Sequence, residues 1–371
     1  MINIVNTWYK RTPLFTGCIS ITKRQTIVMK NVFKFLLSIQ LKHSKLVRQV
    51  NGFTLIELLV ALLLAFLVLT PLLAFMVNIL STDQKEQAKA NSEQEIQTAA
   101  DYIANDLQQA VYIYDGTALA NNSNSVPASS GIKDQIPPVK KAGFCDASDT
   151  NVTCQPILVF WKRKFLQDGV TLSSSTTPDT KDDTFVYSLV AYYLIKDNNT
   201  TWSKAARIAR FEISDGILAS GGVSCGTDYP NDKYSDADHC PKPGFQRFNL
   251  NLPGAAGIKN QMNSWKTASS AYDATKTPVV VLVDFIDQTS IATSPISPTC
   301  PTSPTGISLS KGSFMGFYAC VDTLNTTAQV FLRGNALARL QNSNFDYSSN
   351  NKTYFPTASV RVQGRGYLFT R

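Results

Sequence analysis

Residues 53–80, FTLIELLVALLLAFLVLTPLLAFMVNIL, contain a single ionisable side chain, Glu57. A helix over this run spans roughly 42 Å, more than the ~30 Å hydrocarbon core of a bilayer. The segment is therefore read as a membrane span. A carboxylate inside it costs on the order of 2.5–3.5 kcal/mol, so Glu57 asks for a partner or a purpose, an incidental acid near a helix end that reaches for headgroups being the alternative. Pro71, in the middle of the run, removes one helical hydrogen bond and bends or loosens the helix there.

The charge distribution sets the orientation. The net charge of +8 suggests an anionic partner until its location is considered. Residues 1–52 hold nine bases (Lys10, Arg11, Lys23, Arg24, Lys30, Lys34, Lys42, Lys45 and Arg48) and no acid, leaving 26 bases against 27 acids from Phe53 onward. A basic segment directly before a span stays in the cytoplasm, which places the chain after about Leu80 outside it. The leader is long for a secretory signal, and no small-x-small cleavage site follows the apolar run near Asn78–Gln84. Translation from Met1 or from Met29 gives a basic leader in either case.

The cysteines fit an oxidising compartment. Cys18 lies in the leader; the other six admit many connectivities, of which the favoured one joins sequence-local couples, Cys145 with Cys154, Cys225 with Cys240 and Cys300 with Cys320, each closing a short loop.

The stretch GFTLIELLVALLLA, residues 52–65, resembles the N-terminal signature of type IV prepilins and of type II secretion pseudopilins. The resemblance implies that a prepilin peptidase cuts after Gly52 and that the new amino group of Phe53 is methylated. It also implies that Glu57 neutralises the free N-terminal amine of a neighbouring subunit in a filament, forming a pair where either charge alone is expensive. A subunit that keeps this glutamate is expected just below a filament tip rather than at its apex.

Beyond the span the apolar positions Ile96, Ala99, Ile103, Leu107, Ala110, Val111 and Tyr114 recur every three or four residues, with Asp115-Gly116 as the stop. The expected helix thus has a membrane half, 53–80, and an amphipathic half, 81–115. Residues 116–143 read as a polar loop. Short β-branched and aromatic runs then predict strands at 157–165, 184–195, 206–213, 278–286, 314–321, 328–334 and 358–369. Alternation such as Val360 and Val362 against Arg361 and Gln363 predicts a largely antiparallel sheet with one face solvated. The expected fold is α+β and type IV pilin-like: a long N-terminal helix on a mainly antiparallel sheet, with disulfide-closed insertions in an exported head, 116–371.

Two insertions stand out. Residues 224–244 hold Asp228, Asp232, Asp236, Asp238 and His239 between two cysteines. Asp232, Asp236 and Asp238 offer hard oxygen ligands for calcium, although the spacing is not that of an EF-hand and no glutamate closes the site, so a solvated acidic loop is the alternative. In residues 294–306, Pro295, Pro298, Pro301 and Pro304 recur every third residue, as along one edge of a polyproline II segment. That segment reads as a stiff surface loop or a docking surface.

The exported part has one histidine, no GxSxG and paired cysteines, which argues against an enzyme and leaves no cofactor expected other than calcium. FWKRKF, residues 160–165, is the one short basic-aromatic candidate for nucleic acid; alternation puts Trp161, Arg163 and Phe165 on one face, and an ordinary strand is the preferred reading. The blocks SEQEIQTAADYIANDLQQAVYIYD, PILVFWKRKF and FLRGNALARLQ resemble cyanobacterial pseudopilins associated with hormogonium polysaccharide secretion, the C members in particular. That resemblance implies a minor pilin of a pilus-like machine supporting polysaccharide export and gliding. The partners implied are a prepilin peptidase, other minor and major pilins, an inner-membrane assembly platform, lipid before assembly, and the secreted polysaccharide. A minor pilin of an ordinary type IV pilus or a type II secretion pseudopilin is the alternative.

Overall fold

The computed structural model describes residues 52–137, 152–174, 177–198, 200–268, 272–343 and 345–366, with backbone alone at 171–174 and 177–180. The chain divides into two units, Met1–Phe75 and Met76–Arg371.

In the first unit Gly52–Thr54 are non-helical and helix α1 (Leu55–Gln108) begins. All side chains from Leu55 to Phe75 are exposed. The most apolar stretch of α1 has a mean hydropathy of 2.8, long and apolar enough to cross a membrane. The helix continues through Pro71, and the Thr70 hydroxyl donates to the Phe66 carbonyl at 2.8 Å in the turn before it.

In the second unit α1 lays a stripe of Ile96, Ala99, Ala100, Ile103, Ala104 and Leu107 into the core. The alanines let the helix approach closely, while complete burial of Ile103 or Leu107 is worth about 1.5–3 kcal/mol each. The expected helical period fails past Gln108. Ala110–Ile113 is strand β1, and Asp115 is a start rather than a stop: it caps helix α2 (Gly116–Ala120), accepting from the Ala118 N–H at 2.9 Å. The reason is burial. Ala110 through Tyr114 are all buried, which no single helical stripe achieves, whereas a strand covered on both sides, with its register shifted between Ala110 and Tyr112, sends Ala110 and Ile113 into one core and Val111, Tyr112 and Tyr114 into another.

The remaining strands are β2 (Thr153–Ser174), β3 (Thr177–Lys196), β4 (Ala206–Ser214), β5 (Leu218–Val223), β6 (Val280–Ile286), β7 (Ser308–Lys311), β8 (Phe317–Asp322), β9 (Thr327–Arg333) and β10 (Thr357–Gln363). Short helices α3 (Gly257–Asn263) and α4 (Leu337–Leu340) sit between them. One sheet has the order β1-β2-β3-β4-β6 and the other β10-β9-β8-β7, with every pairing antiparallel. Both turn one face to α1. They are joined at one end by the Ile286–Gly334 bridge and at the other by the Arg365 and Gly366 N–H groups, which donate to the carbonyls of Gln108 and Ala110.

The expected solvated face occurs on β10, where Thr357, Ser359, Arg361 and Gln363 are exposed while Ala358 and Val362 are buried. The first sheet departs from it. Phe160, Val190, Tyr192 and Leu194 face α1, while Val159, Trp161, Leu189, Ala191 and Tyr193 face a second core closed by Phe245, Met262, Trp265 and Tyr272 from the connection between β5 and β6. Unbroken apolar runs such as ILVFW mark a strand covered on both faces.

Candidate functional site

The N-terminal motif owes its local geometry to capping. Thr54 is the N-cap of α1: its carbonyl accepts from the Leu58 N–H at 3.2 Å, and its hydroxyl accepts from the Glu57 N–H at 3.4 Å. Thr54-Leu55-Ile56-Glu57 is thus a capping-box sequence with the glutamate at the third helical position, and Phe53 and Leu58 occupy the two positions of a hydrophobic staple. Gly52 and Phe53 precede the cap in non-helical backbone. A Cβ built on Gly52 meets nothing within 4 Å among the described residues. The exposed Glu57 carboxylate forms no ion pair among the described residues.

The cysteine couples are partly on view. Cys225–Cys240 and Cys300–Cys320 are disulfides, with Cα atoms 5.6 and 5.5 Å apart. Cys154 is also disulfide-bonded, while Cys145 lies outside the described residues. The second bridge ties the proline-rich loop to β8.

The acidic loop is organised by protein groups. Asp232 accepts from Arg247 at 2.8 Å, and Arg247 also holds Asp215 at 2.6 Å, clamping the loop to the end of β4. Asp236 folds back on its own turn, accepting from the backbone N–H groups of Asp238 and His239 and lying 2.8 Å from His239 Nδ1. Asp228 has its own interaction. No cluster of three or more acidic, histidine or cysteine side chains suited to a metal occurs among the described residues, so Asp232, Asp236 and Asp238 are not gathered at one point. Asp232 is drawn to Arg247 and Asp236 to its own turn, so these two carboxylates are engaged separately.

A buried ionic hub that sequence reasoning did not single out joins α1 to the first sheet. Asp106, 7% exposed, accepts from Lys162 at 2.6 Å, from Arg210 Nε at 2.7 Å and from the Tyr192 hydroxyl at 2.7 Å. Glu212 holds Arg210 at 2.6 Å and accepts from the Ser188 hydroxyl at 2.6 Å. Burial by itself raises the Asp106 carboxyl, but the Arg210 hydrogen bond and the charges of Arg210 and Lys162 outweigh it, holding the group below the usual carboxylate range. Burial, then Asp106, pushes the Tyr192 phenol up, keeping it a donor. The hub explains why Lys162 of FWKRKF points inward to Asp106, whereas Trp161 is buried in the second core on the other face of β2, its Nε1–H donating to the Tyr114 hydroxyl at 3.0 Å. The sequence signal was a lone acid, Asp106, beside the helix's apolar stripe, together with cations within otherwise apolar strands. A second clamp joins Arg339 to Ser92 and Glu95 of α1.

A family model described as the prokaryotic N-terminal methylation motif matches residues 47–73. No curated protein and no solved structure matches. The matched residues contain Gly52, Phe53, Thr54 and Glu57 and run into the apolar helix, which fits membrane anchoring. The motif supports a structural subunit of the pilin or pseudopilin kind, with the processing by prepilin peptidase and assembly with other pilins that such a motif implies.

Proposed function

We propose that the protein is a minor pilin or pseudopilin, a structural subunit of a type IV pilus-like assembly that supports polysaccharide secretion and gliding motility. The observation that carries the reading is the methylation motif matched over residues 47–73, placed on a capped apolar helix. Prepilin peptidase removes residues 1–52 after Gly52, and Phe53 becomes the methylated N-terminus. The Glu57 carboxylate, without an ion-pair partner among the described residues, is available to the N-terminal amine of a neighbouring subunit, in keeping with a position just below a filament tip rather than at its apex.

Before assembly the subunit sits in the inner membrane with its leader cytoplasmic and its head outside, as the basic leader favours. The assignment to polysaccharide export rests on the resemblance of the blocks at 92–115, 156–165 and 331–341. An in-frame deletion tests it, with extracellular polysaccharide scored by lectin staining and surface pili counted by electron microscopy. Loss of polysaccharide with pili retained is the expected result. Loss of pili with polysaccharide retained makes the protein a general minor pilin.

A further inference from the structure

The first part of strand β3, Thr177–Val186, has no outer partner strand among the described residues. β4 pairs with the strand over Ser188–Ile195, the Asp215 N–H adds one bond to the Tyr187 carbonyl at 2.9 Å, and no further pairing to β3 from that side follows among the described residues. From Val186 back to Thr177, β3 has only β2 beside it among the described residues. The two form a ribbon extending roughly 35 Å beyond the sheet at ~3.3 Å per residue. A two-stranded ribbon is marginal in water, and its open edge is a row of N–H and C=O groups ready to pair.

The side chains at its root are equally unfinished. Phe165 and Phe185 face each other across the ribbon, edge-to-face at 5.4 Å, yet remain 50% and 53% exposed. The Arg163 guanidinium lies 4.5 Å from the centre of the Phe185 ring. Its neighbours in sequence both reach Glu212, Lys162 at 3.7 Å and Lys164 at 3.8 Å, whereas Arg163 is exposed and forms no ion pair among the described residues. An open cleft of about 420 Å³ follows this edge, with Thr184–Tyr187 on one wall and Asp215–Leu218 on the other, and Leu218 is 53% exposed.

We propose that this edge is an interaction surface that receives an extended polypeptide segment of a different subunit, added as a strand along β3. That segment lays an apolar side chain on Phe165, Phe185 and Leu218 and brings a carboxylate to Arg163. Backbone pairing satisfies the open edge, and the unpaired guanidinium selects an acidic strand over a neutral or basic one. The inference rests on the pilin-subunit reading only for the source of the strand.

The test uses the full chain in its native membrane, with the photo-crosslinking residue p-benzoylphenylalanine in place of Phe165 or Leu218. The expected result is an adduct to another subunit, mapped by mass spectrometry to an extended, acid-containing peptide. Arg163→Glu should lower its yield at least fivefold, and Arg163→Lys should retain most of it. Adducts confined to this chain, to a second copy of it or to glycan, or an adduct indifferent to Arg163→Glu, overturn the proposal. The same cells are checked for a Phe53 N-terminus and for the protein in sheared filaments. A processed, filament-incorporated chain without the adduct refutes the strand-addition surface alone, whereas an unprocessed chain absent from filaments refutes the pilin reading.

Discussion

Replacing Asp106 with alanine should destabilise the head more than any exposed charge deletion, because it strips one acceptor from three donors at once. Lys162, Arg210 and Tyr192 all point at this carboxylate, and it is 7% exposed. Removing one partner from a buried ion pair costs about 3–5 kcal/mol, since the cations remain desolvated without their counter-charge. Glu212 offsets part of this: it keeps Arg210 at 2.6 Å and lies 3.7 Å from Lys162. The expected loss is therefore near the lower bound, about 3 kcal/mol. For a unit the size of Met76–Arg371 this lowers Tm by roughly 6 °C, at about 2 °C per kcal/mol. The assay is thermal unfolding of the detergent-solubilised full chain followed by near-ultraviolet circular dichroism. A double-mutant cycle with Arg210→Met should show coupling well above ~0.5 kcal/mol. A single-mutant shift below about 1 °C, or additive effects in the cycle, would refute the argument that the hub fastens helix to sheet.

The hub also carries a pH dependence. The Asp106 and Glu212 carboxyls are held below their ordinary values in the folded state, so their contribution is present above pH about 4 and is lost as pH falls through the lowered folded values. Acid titrations of Tm in the wild type and in Asp106→Asn should converge as pH falls through the lowered Asp106 value; parallel curves would exclude the linkage. N-terminal sequencing of the membrane protein should begin at methylated Phe53, and Asn51 still attached would remove the assembly role. Glu57→Ala should leave the chain cleaved and membrane-bound but absent from sheared filaments; unchanged incorporation argues against the charge-pairing role. Opening the Cys300–Cys320 bridge by Cys300→Ser should cost about 3 kcal/mol for a loop of this length, read as a lower denaturant midpoint under oxidising conditions.

Much of the architecture was legible because it follows from local pattern. The apolar run with one acid, the basic leader and the spacing of Ile96, Ala99, Ile103 and Leu107 mark a membrane-competent helix whose second half packs on a domain. All seven anticipated strand segments contribute residues to observed strands, because β-branched and aromatic runs bounded by polar turns carry a local preference. The Thr54 cap on the Glu57 N–H is equally local, satisfied within four residues, although sequence reasoning did not single it out.

What tertiary structure decided depends on groups far apart in the chain. Ala110–Ile113 has helical spacing in sequence but becomes a strand because β2 and two separate cores compete for it, and non-local burial outweighs a weak local preference. The second face of the first sheet is covered by residues around Phe245 and Trp265, a layer of turns whose aromatic anchors are distant in sequence from the strands they bury. The Asp106 hub is assembled from residues 56, 86 and 104 positions away, and the pairing of Asp232 with Arg247 separates it from the carboxylates beside it. Sequence alone determined the membrane-competent helix, the processing motif and most strand positions, since these rest on short-range hydrophobicity and stereochemistry. Which charges meet, which faces are covered and which edge stays open were set by long-range packing, where desolvation dictates that each buried ion must find its counter-charge.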